Sequence, residues 1–446
     1  MYKLSDKESA DVVLNSASPF VWLTLKNSTE NEVTDAIVKR AYAAVSCRNP
    51  LLRAVYKPEV AKFSLVVRDV SEIIQDEADG KLPAHLTREF HTRAEAWAEY
   101  NDRIESKVWK CSAMWEVTVC VLDKDKTSDD ADIVVFGHFN HGITDGAAIM
   151  EGLSEFVRVL NAGLAGDSAT LPPHNFLGES MPIPKPFLER YPLFKFDDPT
   201  SDDEKEALFG KVKAKLSRGR TRCAIADKSF TEEATRRFIA KCKEHGVSVT
   251  AGFFAAVAIS ASAKKFFSSM PISFRTKDEF GDFAVSFTDG SLSLDLTPVW
   301  DEERDEDGLW AALAQEFHGE IRKKLESKEE FYRGSALGFV HASLAYSETS
   351  ESSMCTGSNN DEFGICMSNV GIVDKYFVDE KDGVASPLSV MEVTSFCTNP
   401  IAAVIVFWCY TFRGKFRIAI LDSTYTPRKE TFRKFTDKIF EIIEKN

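Results

Sequence analysis

Gly137-His138-Phe139-Asn140-His141-Gly142-Ile143-Thr144-Asp145-Gly146 is the stretch on which the reading of this chain turns. It follows a short apolar run, Asp132–Phe136, that reads as a strand closed by Gly137. It leads into Ala147–Leu160, where Ile149, Leu153, Phe156, Val157 and Leu160 fall on one helical face. The decamer is therefore expected to be a tight turn between a strand and a helix. His141 can exchange a proton near neutral pH, and Asp145 is a carboxylate close enough in sequence to fix a ring or a backbone. An ordinary turn carrying a surface histidine would have the same letters.

Working outward, 446 residues exceed one ordinary core and suggest two or three domains. With 44% hydrophobic and 28% charged residues the composition is that of a globular chain. Lys and Arg number 55 against 69 Asp and Glu, a formal charge of −14, which argues against nucleic acid or an anionic membrane as partner. The longest apolar run, Ile401–Tyr410, is about half of what spans a bilayer and reads as a buried strand. Nine cysteines without a CxxC pair, and a polar start, fit a reducing, cytoplasmic setting.

Seven of the sixteen prolines lie between Leu171 and Thr200. That places a crossover there and divides the chain into 1–180, a proline-rich and basic linker 181–220, and 221–446. Helices are expected at Glu30–Cys47 and Val249–Phe267, with a capping box from Ser229 to Glu232 opening another and Lys429–Lys445 closing the chain. Strands are expected at Phe20–Leu25, Met114–Leu122, Pro271–Phe274, Phe363–Met367 and Lys415–Leu421, among others. Interleaved helices and strands in both halves give an α/β (α+β) plan with a cleft between two domains. No HExxH or clustered cysteines indicate a metal site, no GxSxG supports a serine hydrolase, and no P-loop or GxGxxG stands behind a strand.

His141-Gly142-Ile143-Thr144-Asp145-Gly146 resembles the HxxxDG signature of the CoA-dependent acyltransferase superfamily, which includes alcohol acetyltransferases, plant BAHD enzymes, condensation domains and chloramphenicol acetyltransferase. Further segments follow in the family's order. Arg48-Asn49-Pro50-Leu51-Leu52-Arg53 is similar to its RHPLLR segment, with Asn49 in place of His, and Gly246–Ala256 to its GxTxxxLLxAA helix start. Pro271–Arg275 is similar to its xxxLR strand, and Ser368-Asn369-Val370-Gly371 to its SNxG strand end.

The resemblance implies two chloramphenicol-acetyltransferase-like domains, each a mixed sheet with helices, and a channel between them. It makes His141 the general base that takes a proton from an acceptor hydroxyl as that group attacks an acyl-CoA thioester. Asp145 would pair with Arg275 and shape the loop, with Gly146 allowing the tight turn into the helix. Ser368 and Asn369 become candidates for stabilising the oxyanion, and Thr394 and Ser395 for lining the channel. Acyl-CoA, acetyl-CoA first, is the implied co-substrate and no cofactor is tightly bound. Lys211, Lys213, Lys215 and Arg218 could meet the CoA phosphates or form a solvated linker face.

Asn140 stands where condensation domains carry a second histidine, and no DFGWG is present, so alcohol acetyltransferases are the nearest likeness. The expectation is an O-acyltransferase of secondary metabolism acting, as a monomer, on a small, lipophilic or terpenoid alcohol. An amine acceptor and a non-catalytic ligand-binding protein remain as alternatives.

Overall fold

The computed structural model describes the chain except residues 5–7, 10–11, 13–17, 61, 107–112, 124–130, 167–170, 186–200, 217–223, 263–264, 274–288, 298, 301–302, 327–361, 382–383, 399–404 and 423–428. Its strands are β1 (Tyr2–Lys3), β2 (Ser18–Asn27), β3 (Ala54–Tyr56), β4 (Ser64–Val67), β5 (Ala84–Thr87), β6 (Trp115–Val121), β7 (Ile133–Phe139), β8 (Ala224–Ser229), β9 (Lys265–Ser273), β10 (Asp289–Leu296), β11 (Glu362–Ile372), β12 (Glu380–Lys381), β13 (Val384–Ala385), β14 (Leu388–Thr398), β15 (Ile405–Phe412) and β16 (Lys415–Asp422). Its helices are α1 (Asp35–Arg48), α2 (Val70–Ala78), α3 (Arg93–Ser106), α4 (Gly146–Ala165), α5 (Asp202–Leu216), α6 (Glu232–Glu244), α7 (Val249–Ala261), α8 (Glu306–Glu326) and α9 (Lys429–Lys445). The expected mixed α/β plan is what the structure shows. No single described helix is long and apolar enough to cross a membrane.

Two sheets carry the molecule. The first has the order β14-β2-β7-β6-β5, the second β10-β9-β11-β15-β16-β8. In the first, β7 is central and every residue of Ile133–Phe139 is buried, so the strand is covered on both faces. Helix α4 lies directly on it. A Cβ on Gly137 would come 3.0 Å from Leu153 of α4, so the glycine sets how close helix and strand approach. On the second sheet, β15 carries the longest apolar run from Ile405 onward, residues 401–404 lying outside the described residues. Ile405, Phe407 and Cys409 face the core shared with α7, α8 and α9, while Val406, Trp408, Tyr410 and Phe412 face the core of the first sheet. A strand buried on both faces has no reason to alternate in polarity.

The halves of the chain do not map one to one onto the sheets. β14, from the second half, pairs antiparallel with β2, placing Thr394 opposite Trp22 and Ser395 opposite Val21. A strand from 221–446 thus completes the sheet of the first half. Helix α4 strengthens the junction, since the Asn161 side chain exchanges hydrogen bonds of 3.2 and 2.6 Å with the Leu388 backbone.

Three expectations change. The helix expected over Val249–Phe267 stops at Ala261, where Ser262 adopts φ 50, a left-handed cap, and Lys265–Ser273 is a strand. The cap of α6 is Thr231, whose Oγ1 accepts from Ala234 N at 3.1 Å, whereas Ser229 ends β8. The 181–220 segment contains α5, with Asp202, Asp203 and Glu204 in its first turn, which suits the helix dipole. Its Phe209 packs edge-on against Phe63, with ring centroids 5.8 Å apart.

Candidate active site

The loop between β7 and α4 is built from its own hydrogen bonds. Asn140 N donates to Met114 O at 2.9 Å, anchoring the turn to the residue that precedes β6. The Asn140 side-chain oxygen accepts from Gly142 N at 2.9 Å, an Asx turn that reverses the chain. Thr144 Oγ1 then donates to Asn140 O at 2.9 Å, closing the loop from the far side. Asn140, Gly142, Ile143, Thr144 and Asp145 are all buried, and only His141 is half-exposed.

The orientation of that ring follows from one contact. His141 Nδ1 lies 2.7 Å from Thr144 O. A carbonyl oxygen only accepts, so Nδ1 must carry the proton, and the neutral ring keeps its lone pair on Nε2. The loop fixes the tautomer in which the outer nitrogen, Nε2, is unprotonated.

Asp145 has a role that its place before a helix signals in the sequence. It is the N-cap of α4, with φ −116 and ψ 178, and its Oδ1 accepts from Ala148 N at 2.7 Å. Its side chain thus holds the first turn of the helix that follows the histidine loop. Arg275, the expected partner of Asp145, lies outside the described residues.

The two glycines serve close approach rather than unusual backbone angles, since neither has positive φ. A Cβ on Gly142 would lie 2.6 Å from Val12 Cγ2 and 2.8 Å from Glu8 O. An N-terminal segment therefore sits on the turn, a contact for which the sequence carries no local signal. A Cβ on Gly146 would meet Val370 Cγ2 at 3.3 Å and Trp408 Cζ2 at 3.5 Å. The start of α4 thus abuts β11 and β15 of the second sheet.

That contact brings the SNxG-like segment to the histidine loop. The ladder between β11 and β15 shifts register between Asn369 and Gly371, leaving Val370 as the extra residue of a bulge. Gly371, at φ 78, donates its N–H to Asn369 Oδ1 at 3.0 Å, and Asn369 Nδ2 donates to Thr250 Oγ1 at 3.0 Å. The Asn369 amide is thus engaged in shaping the bulge, and Ser368 beside it is half-buried. Thr394 and Ser395 are buried inside the first sheet, where Ser395 Oγ donates to Phe20 O at 3.3 Å.

Of the basic stretch, Lys211 is exposed on α5, and Lys213 and Lys215 are in the same helix. Arg218 falls outside the described residues. His138, on β7, is buried with its ring stacked on Phe20 at 4.3 Å, and burial holds its pKa well below the usual histidine value. It is a neutral core residue. No cluster of three or more His, Cys, Asp or Glu suited to a metal ion occurs among the described residues.

No family model and no curated protein matches the chain. Solved structures do. The TRI3 trichothecene 15-O-acetyltransferase from Fusarium sporotrichioides superposes with a TM-score of 0.71 over 99% of this chain and 94% of its own, at 12% identity. Polyketide synthase associated protein 5 from Mycobacterium tuberculosis gives 0.60 over 100% and 98%, at 11% identity. The condensation domain of the Monacolin K polyketide synthase MokA gives 0.56 over 100% and 96%, at 10% identity. At these identities the likeness is one of fold: the chain adopts the two-domain architecture shared by these three structures.

Proposed function

We propose that this chain is an acyltransferase that moves an acyl group from CoA to the hydroxyl of a small molecule, with His141 as general base. The observation that carries the reading is the 2.7 Å contact between His141 Nδ1 and Thr144 O, which leaves the unprotonated nitrogen at Nε2. The fold, shared with a trichothecene 15-O-acetyltransferase and with condensation domains, supports the same chemistry.

In this reading Nε2 takes the proton of the acceptor hydroxyl as its oxygen attacks the thioester carbonyl. The tetrahedral oxyanion collapses by breaking the carbon–sulfur bond, and the proton on Nε2 passes to the departing CoA thiolate. Atoms and charge balance, and the imidazole returns to its starting form. An alcohol is a poor nucleophile at neutral pH, so a positioned base contributes about 10²–10⁴-fold. Ser368, two residues before the Val370 that meets Gly146, is the candidate for an oxyanion contact. Asp145 caps α4 and, with Arg275, would tie the loop to the second half.

The test is release of free CoA thiol from a panel of acyl-CoAs, acetyl-CoA first, with alcohol and amine acceptors of matched shape. Turnover with alcohols that His141→Ala abolishes supports the reading. Preference for the amine makes the chain an N-acyltransferase, and ligand binding without thiol release by any pair overturns the enzymatic reading.

A further inference from the structure

The geometry points to a second ligand site, an anion-binding cleft for a phosphate-bearing small molecule, at the seam between the two sheets and remote from His141. The cleft has a volume of about 720 Å³, which suits a metabolite. Its walls combine Thr24 of β2, Arg93 of α3, Glu392 of β14, the start of α6 and the β15–β16 hairpin. It also reaches Ala131, eight residues before Phe139 at the other end of the β7 segment, about 26 Å away at strand rise. The cleft therefore opens at the opposite end of the first sheet from the histidine loop.

The charge of the cleft is unlike that of the chain. In a protein of net charge −14, five cationic side chains line it, Arg93, Arg236, Arg413, Lys415 and Arg417, against Glu232, Glu233 and Glu392. Three of the five are spoken for. Glu392 bridges Arg93 and Arg417, Arg417 also holds Asp227 at 2.6 Å, and Arg413 pairs with Asp379. Among the carboxylates, Glu233 is paired with Arg237 at 3.1 Å. Arg236 and Lys415 are exposed and, among the described residues, form no ion pair. The fixed network thus acts as a rigid wall and leaves two unpaired cations at the mouth, Arg236 and Lys415, against one unpaired carboxylate, Glu232, among the described residues.

Two further features border the same space. The N-terminus of α6, a 13-residue helix, opens into it at Thr231 and Glu232, with Glu232 and Glu233 of the first turn set against the positive end of its dipole. The hairpin turn places Arg413 at φ 50 before Gly414 at φ 71. Both central residues of such a turn favour glycine or asparagine, and an arginine is held there against that preference. Its guanidinium, fixed by Asp379, lines the cleft beside Lys415. Planar guanidinium groups held in place suit the multiply charged oxygens of a phosphate group.

Two sources offer such a group: the nucleotide end of CoA and an independent phosphorylated metabolite. Calorimetric titration at low salt with inorganic pyrophosphate, and separately with CoA, is performed on the wild type and on Arg236→Gln/Lys415→Gln. Both side chains are exposed and unpaired, so the variant is expected to melt as the wild type does; Lys415→Gln alone serves should the pair of changes lower melting. Pyrophosphate is expected to saturate one site, to bind at least tenfold more weakly to the variant, and to weaken with added salt. CoA losing affinity by the same factor identifies its nucleotide end as the source, and CoA unaffected identifies a separate metabolite. Absence of saturable pyrophosphate binding, unchanged affinity in the variant, or succinate binding as tightly as pyrophosphate overturns the assignment. No acceptor is present and His141 is untouched, so failure here leaves the acyl-transfer reading standing.

Discussion

His141 Nδ1 and the carbonyl oxygen of Thr144 lie 2.7 Å apart across three residues of one loop, and that contact sets which nitrogen of the ring is basic. Removing the ring should therefore remove the chemistry and spare the fold, because the side chain is half-exposed. His141→Ala is expected to lower the transfer rate by about 10²–10⁴-fold with unchanged melting. A variant that keeps most of the rate in a thiol-release assay would take the base role away from His141.

Thr144 offers a subtler probe. Its hydroxyl, fully buried, donates to Asn140 O and braces the turn that holds the ring. Thr144→Val keeps the shape but leaves that carbonyl short of a partner, at a cost of about 1–3 kcal/mol in stability. The rate should fall mainly in kcat, and Thr144→Ser should restore it. Equal kinetics for the valine and serine variants would show that the hydroxyl does not hold the loop.

Gly142 and Gly146 should respond differently to the same methyl group. At Gly142 the added carbon meets Glu8 O, a backbone atom, at 2.8 Å, and either the N-terminal segment or the turn must move. Gly142→Ala is expected to cost about 1–3 kcal/mol and to reduce activity. At Gly146 the nearest atom is a valine methyl at 3.3 Å, which can give by a few tenths of an ångström. Thermal melting that drops equally for both variants would mean that the N-terminal contact does not constrain the loop.

The cap of α4 can be separated from the charge of Asp145. Asp145→Asn retains an oxygen for the Ala148 N–H, whereas Asp145→Ala removes it at a cost of about 0.5–2 kcal/mol. Denaturant melts of the two variants make the comparison, with the alanine form expected to be the less stable.

Glu155 gives the fold a pH dependence. It is buried on α4, where Arg48 Nε donates to it at 2.8 Å and Asn49 Nδ2 at 2.7 Å. Burial nevertheless outweighs these partners and pushes its carboxyl from 4.5 to about 7. A folded-state value above the unfolded one means that the folded protein holds the proton longer. The stabilising contribution is complete below about 4.5 and is lost as pH rises through about 7, on the order of 3 kcal/mol across that window. Melting temperature followed over this range should lose that component in Glu155→Gln. An unchanged profile would move its origin to another group.

The strand–turn–helix around His141 was legible because each of its parts is local. An apolar run, a glycine-rich turn and a one-faced helix are set by neighbouring residues, and β7 and α4 extend the expected elements only at their ends. Hydrophobic periodicity also marked α9, which spans Lys429–Lys445 as expected. It failed at Val249–Phe267 because a run apolar on every side has no period to show where a helix ends and a buried strand begins.

By itself, then, the sequence determined the alternation of helices and strands, the histidine turn and the order of the segments that flank it. Tertiary structure alone decided that β14 pairs with β2, that Glu8 and Val12 press on Gly142, and that a bulge carries Val370 to Gly146. These contacts join residues tens to hundreds of positions apart. The propensities that shape a turn or a helix act over a few residues, whereas the partner of a sheet edge or the neighbour of a glycine is fixed only when the whole chain packs.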